Sequence, residues 1–366
     1  MYKQIYVGLL LFTFASCEID SKNTEENTLS EQSTSFHQIK NEQKMQKPSL
    51  QNYVGYPIVF YNVENLFDIY NDPSTKDDDF TPEGYKEWDE VRYLDKLDKL
   101  SEAIGLADDK NPIFIGLAEV ENIKTLRDLS TTGRLKNTNY NIAHFESADM
   151  RGIDCGLLYD QDRFKLKEKK KFRIDFDWNR DITTRDILYV YGDLMNEKDL
   201  HIFVNHWSSR REGKEETEKK RTTAAKVLRV EIDKILSKDA NANILIMGDF
   251  NDHPTDKAVY EVLAAKSAKE AKDDNLINLL WEEHANGEGT HNYRREWDVL
   301  DQMIVSQGLF KNKNGLGIEK NNAFILRDDR LIFTYPDGGQ KPSATYGGPK
   351  YYGGYSDHLP VYLKLK

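Results

Sequence analysis

Short apolar runs recur along the chain from Tyr56 onward, and each predicts a β-strand buried in the protein. Polar or turn-forming residues bound the runs and set where the strands end. The runs are 58–61, 112–118, 155–159, 187–191, 200–206, 243–247, 299–305 and 360–365. These strands predict a single folded body over 56–366.

Amphipathic spacing predicts three helices, at 91–106, 123–129 and 217–236. Apolar residues at helical spacing predict one buried face on a helix. On the first helix this face is predicted to hold Val91, Leu94, Leu97, Leu100 and Ile104. On the long third helix the inward residues are predicted to be Ala224, Val227, Leu228, Ile232 and Ile235.

Polar side chains stand beside the predicted strands in six places, usually where an apolar run ends. They are Asn62, Glu119, His206, Asp249 with Asn251, Asp301, and Asp357 with His358. Loops at strand ends are where rigid scaffolds place chemistry. A solvated surface would scatter its acids and histidines, so this pattern predicts a functional site.

The N-terminus reads as an export signal. An apolar run at 5–14 is too short to span a bilayer but suits a signal peptide, and Ala15-Ser16-Cys17 follows it. Small residues before a cysteine resemble the bacterial lipobox, although Phe14 stands where leucine is usual. We therefore expect a signal peptide at 1–16 and an exported lipoprotein, membrane-anchored through lipidated Cys17 at the cell envelope or surface. The alternative is an ordinary signal peptide with an incidental cysteine.

Residues 17–55 are predicted to be a flexible tether, because they are rich in Glu, Ser, Asn, Gln and Lys and hold few apolar residues. The whole chain of 366 residues is 39% apolar, which is too much for a disordered protein. Its mean hydropathy of -0.72 is too polar for a membrane protein. Two cysteines, Cys17 and Cys155, exclude a disulfide framework and a Cys-rich zinc site. Cys155 is expected to be a small buried residue.

The formal charge of -11 means that the net field does not steer nucleic acid to the protein. Any phosphate substrate must therefore be captured by local groups. The basic stretch at 208–226 is the longest concentration of Lys and Arg near a candidate site residue. Arg210 is our candidate for substrate binding, since a guanidinium can bind phosphate oxygens in bidentate fashion.

Six motifs together resemble the endonuclease/exonuclease/phosphatase superfamily, which includes DNase I-like nucleases, inositol polyphosphate phosphatases and sphingomyelinases. They are FYNVENLF (60–67), LAEVEN (117–122), NHW (205–207), MGDFND (247–252), LDQMI (300–304) and YSDHLP (355–360). They occur in the family's order. The resemblance implies a four-layer α/β/β/α sandwich of two mixed β-sheets, DNase I-like, with the site at one edge.

The resemblance also implies a divalent cation, Mg²⁺ or alternatively Mn²⁺, for which carboxylates and amide carbonyls are suitable ligands. Glu119 would be the first ligand, with Asn62 and Asp357 close to the same ion. Asp249 would orient or deprotonate the attacking water, and Asn251 would hold a phosphate oxygen or Asp249. An ordinary turn after the strand is the alternative reading of Asp249 and Asn251.

Two histidines are expected to face the phosphate. His358 should pair with Asp301, because a carboxylate behind an imidazole fixes its tautomer and raises its pKa. For His206 we expect Glu146 as the carboxylate partner, with Asp154 as the alternative.

Two loops have no fixed role from the sequence. The acidic loop 68–90 could bind Ca²⁺ or line the cleft. The tyrosine-rich loop 345–355 could stack on a substrate ring or pack on its own aromatics.

The predicted function is metal-dependent hydrolysis of phosphate esters by in-line water attack, foremost as a monomeric phosphodiesterase or nuclease acting on DNA or RNA. The alternative is an enzyme of the same family acting on phospholipid headgroups or on sugar or inositol phosphates. A binding lipoprotein with a decayed site would have lost a residue of the constellation, and none is lost here.

Overall fold

Two mixed β-sheets form the centre of the protein in its computed structural model, which describes residues 55–195, 198–318 and 323–365. The first sheet has the strand order β14 (Ala323–Ile325), β19 (Val361–Leu365), β1 (Tyr56–Leu66), β2 (Phe114–Val120), β4 (Asp154–Asp160) and β3 (Tyr140–His144). The second has the order β5 (Phe164–Phe172), β6 (Ile187–Leu194), β7 (Lys198–His206), β8 (Ile244–Asp249), β13 (Asp301–Val305), β10 (Leu276–Asn278) and β9 (Ala265–Lys266).

Three small hairpins lie outside the two sheets. They are β11 (His291–Tyr293) with β12 (Glu296–Asp298), β15 (Ile332–Thr334) with β16 (Gln340–Pro342), and β17 (Tyr346–Gly347) with β18 (Lys350–Tyr351). The α-helices are α1 (Glu90–Gly105), α2 (Ile123–Ser130), α3 (Lys214–Leu236), α4 (Trp281–Ala285) and α5 (Gln307–Phe310). Short 3₁₀ turns at Asp78–Phe80, Leu135–Asn137 and Asp329–Leu331 and a π-helical turn at Ala258–Val262 complete the elements.

Alternation along the strands produces three apolar layers. On β1, Ile58 and Phe60 enter the layer between the two sheets, whereas Val59 and Tyr61 face the helices. Successive strand side chains point to opposite faces, so one strand serves both layers. The outer layer of the first sheet packs on α1 and α2, and that of the second sheet packs on α3. The predicted α/β/β/α sandwich is therefore confirmed.

The strand directions bring the polar strand ends together. The strands β1 and β2 in the first sheet and β7 and β8 in the second are parallel pairs, so both members of each pair end at the same edge. The antiparallel neighbours β19 and β13 begin at that edge. In the second sheet Asp249 lies directly between His206 and Asp301 in the strand register. Residues far apart in the chain thus meet where two sheets end.

The buried face of α1 differs from the predicted one. Leu97, Leu100 and Ile104 are buried as expected, but Val91 and Leu94 are 75% and 52% exposed. Residues spaced three apart do not stay on one side of a helix that has 3.6 residues per turn. Val91 and Leu100, nine residues apart, therefore lie on opposite sides of α1. On α3, Ala224, Leu228 and Ile232 are buried, while Val227 and Ile235 are only partly buried.

Several predictions fall outside the described residues. The signal peptide at 1–16, Cys17 and the tether up to residue 54 belong to this group. In the part of the chain that the structure describes, none of the helices is long and apolar enough to cross a bilayer.

We expect Leu97→Ala to lower the free energy of unfolding by about 2–5 kcal/mol, because it opens a cavity under α1. Leu94→Ala is the matched control on the same helix, and its exposed side chain predicts a change within about 0.5 kcal/mol. Urea unfolding followed by circular dichroism measures both. Equal losses in the two variants would contradict the assigned face.

Candidate functional site

A hydrogen bond connects the two sheets at the edge where the polar strand ends meet. Asn62, near the end of β1, donates its Nδ2 to Oδ2 of Asp249, at the end of β8, over 3.0 Å. The other oxygen of Asp249 accepts the backbone N–H of Asn251 at 2.9 Å. Both Asn62 and Asp249 are buried. The Asp249 carboxylate is therefore held by Asn62 of the first sheet and by the segment that follows β8.

The backbone around this bond is strained. Four non-glycine residues beside it have left-handed backbone angles, with φ of 50° at Glu64, 56° at Asn65, 67° at Glu119 and 50° at Asn251. The pairing of β1 with β2 shifts register between Asn62 and Leu66. The Asn65 N–H donates to Oε2 of Glu119 at 3.0 Å, which helps to hold the irregular segment. Such strain is concentrated at functional sites in proteins.

The charges of Glu119 and Asp249 both act on Asp357, so the three carboxylates lie in one part of the site. Burial raises the pKa of Asp249, and the charge of Asp301 adds to this effect. Burial also raises the pKa of Asp357, to which the Glu119 charge contributes. Acids that share a site with little solvent repel one another unless a cation compensates them. With the amide of Asn62 beside them, these hard oxygen donors fit a divalent ion such as Mg²⁺ or Mn²⁺.

The predicted pairing of His358 with Asp301 is present. Nδ1 of His358 lies 2.6 Å from Oδ2 of Asp301, and both residues are buried. Burial alone would lower the pKa of His358, but Asp301, Asp249 and Asp357 together raise it well above its usual range. Ser356 fixes the segment, because its Oγ accepts the His358 N–H at 3.1 Å and donates to the Asn62 carbonyl at 2.7 Å. His358 is therefore positioned as a cationic hydrogen-bond donor.

His206 differs from His358 in its charge. Its Nε2 lies 3.5 Å from Oδ2 of Asp249 and 3.8 Å from Oε1 of Glu119. Its Nδ1 is buried and finds no hydrogen-bond partner within the described residues. Burial, followed by the charges of Arg185 and Arg151, lowers the pKa of His206 well below its usual value. His206 is therefore a neutral imidazole at pH 7.

The predicted carboxylate partners of His206 are wrong. Asp154 lies 3.1 Å from Nε2 of His144, and Glu146 lies 3.9 Å from Nδ1 of the same ring. His144 ends β3, whose neighbour β4 begins with Asp154, so this carboxylate reaches the adjacent strand's histidine.

An arginine supports the backbone of His206. Nε of Arg185 donates to the His206 carbonyl at 3.2 Å, and its Nη1 lies 3.0 Å from Oδ2 of Asp149. The Arg185 and Asp149 side chains are only 5% and 7% exposed. This buried ion pair fixes the backbone at the end of β7.

Asn251 lies in the site as predicted, but its amide is bonded to the protein. Nδ2 of Asn251 donates to the carbonyl of Trp207 at 3.1 Å. The Trp207 ring is fully buried and packs edge-on against Phe250, with centroids 4.7 Å apart. Trp207 is therefore a packing residue, and Asn251 connects the segments that follow β7 and β8.

Arg210 lies beside Asp298, which sequence reasoning missed. Its Nη2 is 3.2 Å from Oδ2 of Asp298, and Nε2 of His253 is 2.9 Å from the other oxygen of that carboxylate. His291, opposite Asp298 in the β11–β12 hairpin, packs its ring 4.8 Å from that of His358. Ligand atoms of His291, Asp357 and His358 lie within 4.8 Å of one another.

No signal in the sequence distinguished His291, because it follows no apolar strand. It reaches the site through an isolated β-bridge to His358.

The tyrosine-rich loop is fixed by a buried pair of charged residues. Lys96 donates to Oγ1 of Thr345 at 2.5 Å and to the carbonyl of Tyr355 at 2.6 Å. Glu64 accepts the N–H groups of Thr345 and Tyr346 at 2.6 and 3.0 Å. The loop is thereby bound to α1 and β1, which favours the packing interpretation for most of its rings.

The acidic loop at 68–90 is held by its own hydrogen bonds. Asp77 accepts the Asp72 N–H at 2.9 Å, and Asp72 accepts the Ser74 N–H at 2.8 Å. Among the described residues, this loop contributes to none of the clusters that could hold a metal ion.

Comparison with known proteins agrees with the fold. The sequence model of the Endonuclease/Exonuclease/phosphatase family matches residues 57–366 of this chain. TDP2 from D. rerio, complexed with a single-strand DNA product, has a TM-score of 0.52 and 16% identity, over 86% of this chain and 100% of that chain. The human Nocturnin catalytic domain with bound sulfate has a TM-score of 0.51 and 16% identity, over 85% and 94%.

A bacterial phosphatase is similar in the same way. The mannosyl-6-phosphatase of Bacteroides thetaiotaomicron has a TM-score of 0.51 and 15% identity, over 85% of this chain and 99% of that chain. At these identities the likeness establishes the fold. No curated protein sequence matches this chain.

We expect Arg185→Met to lower the free energy of unfolding by about 3 kcal/mol, because it leaves the buried Asp149 charge without its closest partner. Arg173→Met is the matched control, since Arg173 pairs with Asp175 and both side chains are exposed. That control should change stability by less than about 0.5 kcal/mol. Denaturant unfolding of Arg185→Met, Asp149→Asn and the double variant measures the coupling. Purely additive losses would show that the pair does not act as a unit.

Proposed function

Because the chain belongs to the endonuclease/exonuclease/phosphatase family, whose members hydrolyse phosphate esters, we propose that it is a phosphodiesterase acting foremost on DNA or RNA. The observation that carries this proposal is the convergence of Asp249, Glu119 and the His358–Asp301 pair at one edge of two sheets. It supplies the group types that hydrolysis of a phosphate ester by water requires.

We propose that Asn62, Glu119 and Asp357 hold the metal ion, Mg²⁺ with Mn²⁺ as an alternative. When bound, the ion compensates negative charge on the phosphoryl oxygens. Burial and the charges of Glu119 and Asp249 raise the pKa of Asp357, and a bound cation would compensate this repulsion. The strained backbone at Glu119 directs its side chain to this position.

Asp249 is the group that we assign to the attacking water. Hydrogen bonds from Asn62 and Asn251 fix the direction of its carboxylate. Burial raises its pKa and so makes it a better proton acceptor than an exposed aspartate. The water attacks phosphorus in line with the leaving oxygen, and no covalent intermediate forms on the protein.

The two histidines and Arg210 face the phosphate oxygens. Protonated His358 donates from Nε2, because its Nδ1 is engaged by Asp301. Neutral His206 supplies a second imidazole within 4 Å of Asp249. Arg210 is oriented by Asp298 and has further N–H groups for a phosphate.

Two substrate classes are candidates, a nucleic acid and a sugar phosphate. A nucleic acid is supported by the complex of the similar D. rerio TDP2 with single-strand DNA. A sugar phosphate is the second candidate, supported by the likeness to the mannosyl-6-phosphatase and by the formal charge of -11, which disfavours long polyanions. A screen with single- and double-stranded DNA, RNA, sugar phosphates, sphingomyelin and bis(p-nitrophenyl) phosphate distinguishes them.

Asp249→Asn and His358→Gln should each lower kcat/KM for bis(p-nitrophenyl) phosphate by at least about 100-fold, because each removes a proton-transfer or charge-stabilising group. Asp273→Asn is the control, since the Asp273 side chain is 99% exposed. Reactions with Mg²⁺, with Mn²⁺ and with EDTA test the ion. Turnover that persists in both variants, or in EDTA, would refute the site.

We also propose that the protein is exported and anchored to a membrane by lipidated Cys17, as its position after the apolar N-terminal run suggests. Cys17→Ala should move the full-length chain from the membrane pellet to the soluble fraction in a bacterial host. Cys155→Ala is the control, because Cys155 is buried in β4. Wild-type protein that stays soluble would contradict the anchor.

A further inference from the structure

The three small hairpins form a surface that continues from the site. His291, the first residue of β11, bridges to His358, and two residues further along the same strand is Tyr293. That separation is about 7 Å along a strand. The β11 strand packs against β16, and Lys341 of β16 lies 5.9 Å from the ring of Tyr352, next to β18. We call this surface, formed by residues 293–296, 333–341 and 350–352, the hairpin platform.

Aromatic rings are exposed on the hairpin platform. Tyr293 is 58% exposed, Phe333 46% and Tyr352 54%. The rings of Phe333 and Tyr335 contact each other edge to face at 5.1 Å. Single exposed rings are ordinary on proteins, but several on adjoining hairpins indicate a binding surface. Tyr352 is also the exception in its loop, whose other rings are held more closely by the protein.

Cations accompany these rings. Arg294 lies over Tyr293 at 5.1 Å and Arg295 over Tyr335 at 4.6 Å. Lys341 lies 5.6 Å from the Phe333 ring, and Lys350 lies 5.2 Å from the Tyr352 ring. The three hairpins hold four Lys and Arg against three Asp and Glu, whereas the whole chain has 51 against 62. The hairpins therefore carry a small net positive charge, and Arg295 also pairs with Asp337 at 2.7 Å.

We propose that the hairpin platform binds a single-stranded nucleic acid that leads away from the phosphate being cut. Unpaired bases would stack on Tyr293, Phe333 and Tyr352, while the neighbouring arginines and lysines contact backbone phosphates. A duplex would not bind in this way, since its bases already stack on one another. The cations favour a polyanion over a neutral glycan. This inference rests on the proposed function, and it assigns the form of the nucleic acid.

The test measures binding and chemistry separately. Fluorescence anisotropy with labelled oligo(dT) and oligo(U), in EDTA to prevent cleavage, gives the affinity for a single strand. The variant is Tyr293→Ala/Phe333→Ala/Tyr352→Ala. The control is Tyr191→Ala. Lys167 lies over the Tyr191 ring at 5.2 Å, as lysines lie over the platform rings. However, Tyr191 is on β6, opposite His201 near the start of β7, and so lies outside the hairpin platform. The rate of bis(p-nitrophenyl) phosphate hydrolysis measures the activity of the catalytic site separately from binding to the platform.

We expect the triple variant to bind single strands at least about ten-fold more weakly, since each stacked base contributes several-fold to affinity. The control and the small-diester rate should stay as in the wild type. Tyr293→Ala alone should weaken binding, and Tyr293→Trp should restore it, which keeps the test valid if the triple variant does not fold.

Three outcomes would overturn the inference. They are unchanged binding in the triple variant, a wild type that prefers duplex, and a wild type that binds anionic phospholipid vesicles or a neutral glycan but no single strand. If the wild type hydrolyses no diester at all, the proposed function fails first. If it hydrolyses the small diester while the platform variants bind single strands normally, only the platform is wrong.

Discussion

The hydrogen bond from Asn62 to Asp249 is the interaction on which the site depends, because it joins two sheets whose main contact is a layer of apolar side chains. The inter-sheet core fixes the distance between the sheets but is not directional. A buried hydrogen bond to a carboxylate is directional, and a buried polar group that lacks its partner there would lower the stability of the fold. Asn62 therefore converts general packing of two layers into a defined position for Asp249.

Support for the site comes from behind it as well as from its own residues. Arg185 with Asp149 holds the end of β7, and Ser356 holds the segment before β19. Lys96 and Glu64 form a further layer under the tyrosine-rich loop. Burial lowers the pKa of Lys96 to about 8 and raises that of Glu64 to about 7, which reflects how little solvent reaches this layer. Of these supporting residues, Glu64 and Ser356 lie within the quoted motifs, whereas Lys96, Asp149 and Arg185 lie outside them.

The sequence predicted the parts of the protein that have a local pattern. Apolar runs identified the central strands such as β7 and β8, since a strand buried on both faces needs an unbroken run. The strand β5, FKLKEKKKF, was missed because its lysines resemble a solvated segment, yet lysine is common on edge strands, where it discourages pairing with other chains. The pair of His358 with Asp301 was foreseen from the resemblance. The partners of His206 were not foreseen. Asp154 contacts His144 because of the register between the neighbouring strands β3 and β4, and that register has no local sequence pattern.

The left-handed residues at the site have a consequence for engineering the protein. Glycine would relieve the backbone at Glu64, Asn65, Glu119 and Asn251, since it alone adopts that conformation without steric cost. The side chains of Glu119, Asn251 and Glu64 make contacts in or beside the site that a glycine would lose. Efforts to make a more heat-resistant version are therefore best directed at the outer helices, where gains in stability do not compete with turnover.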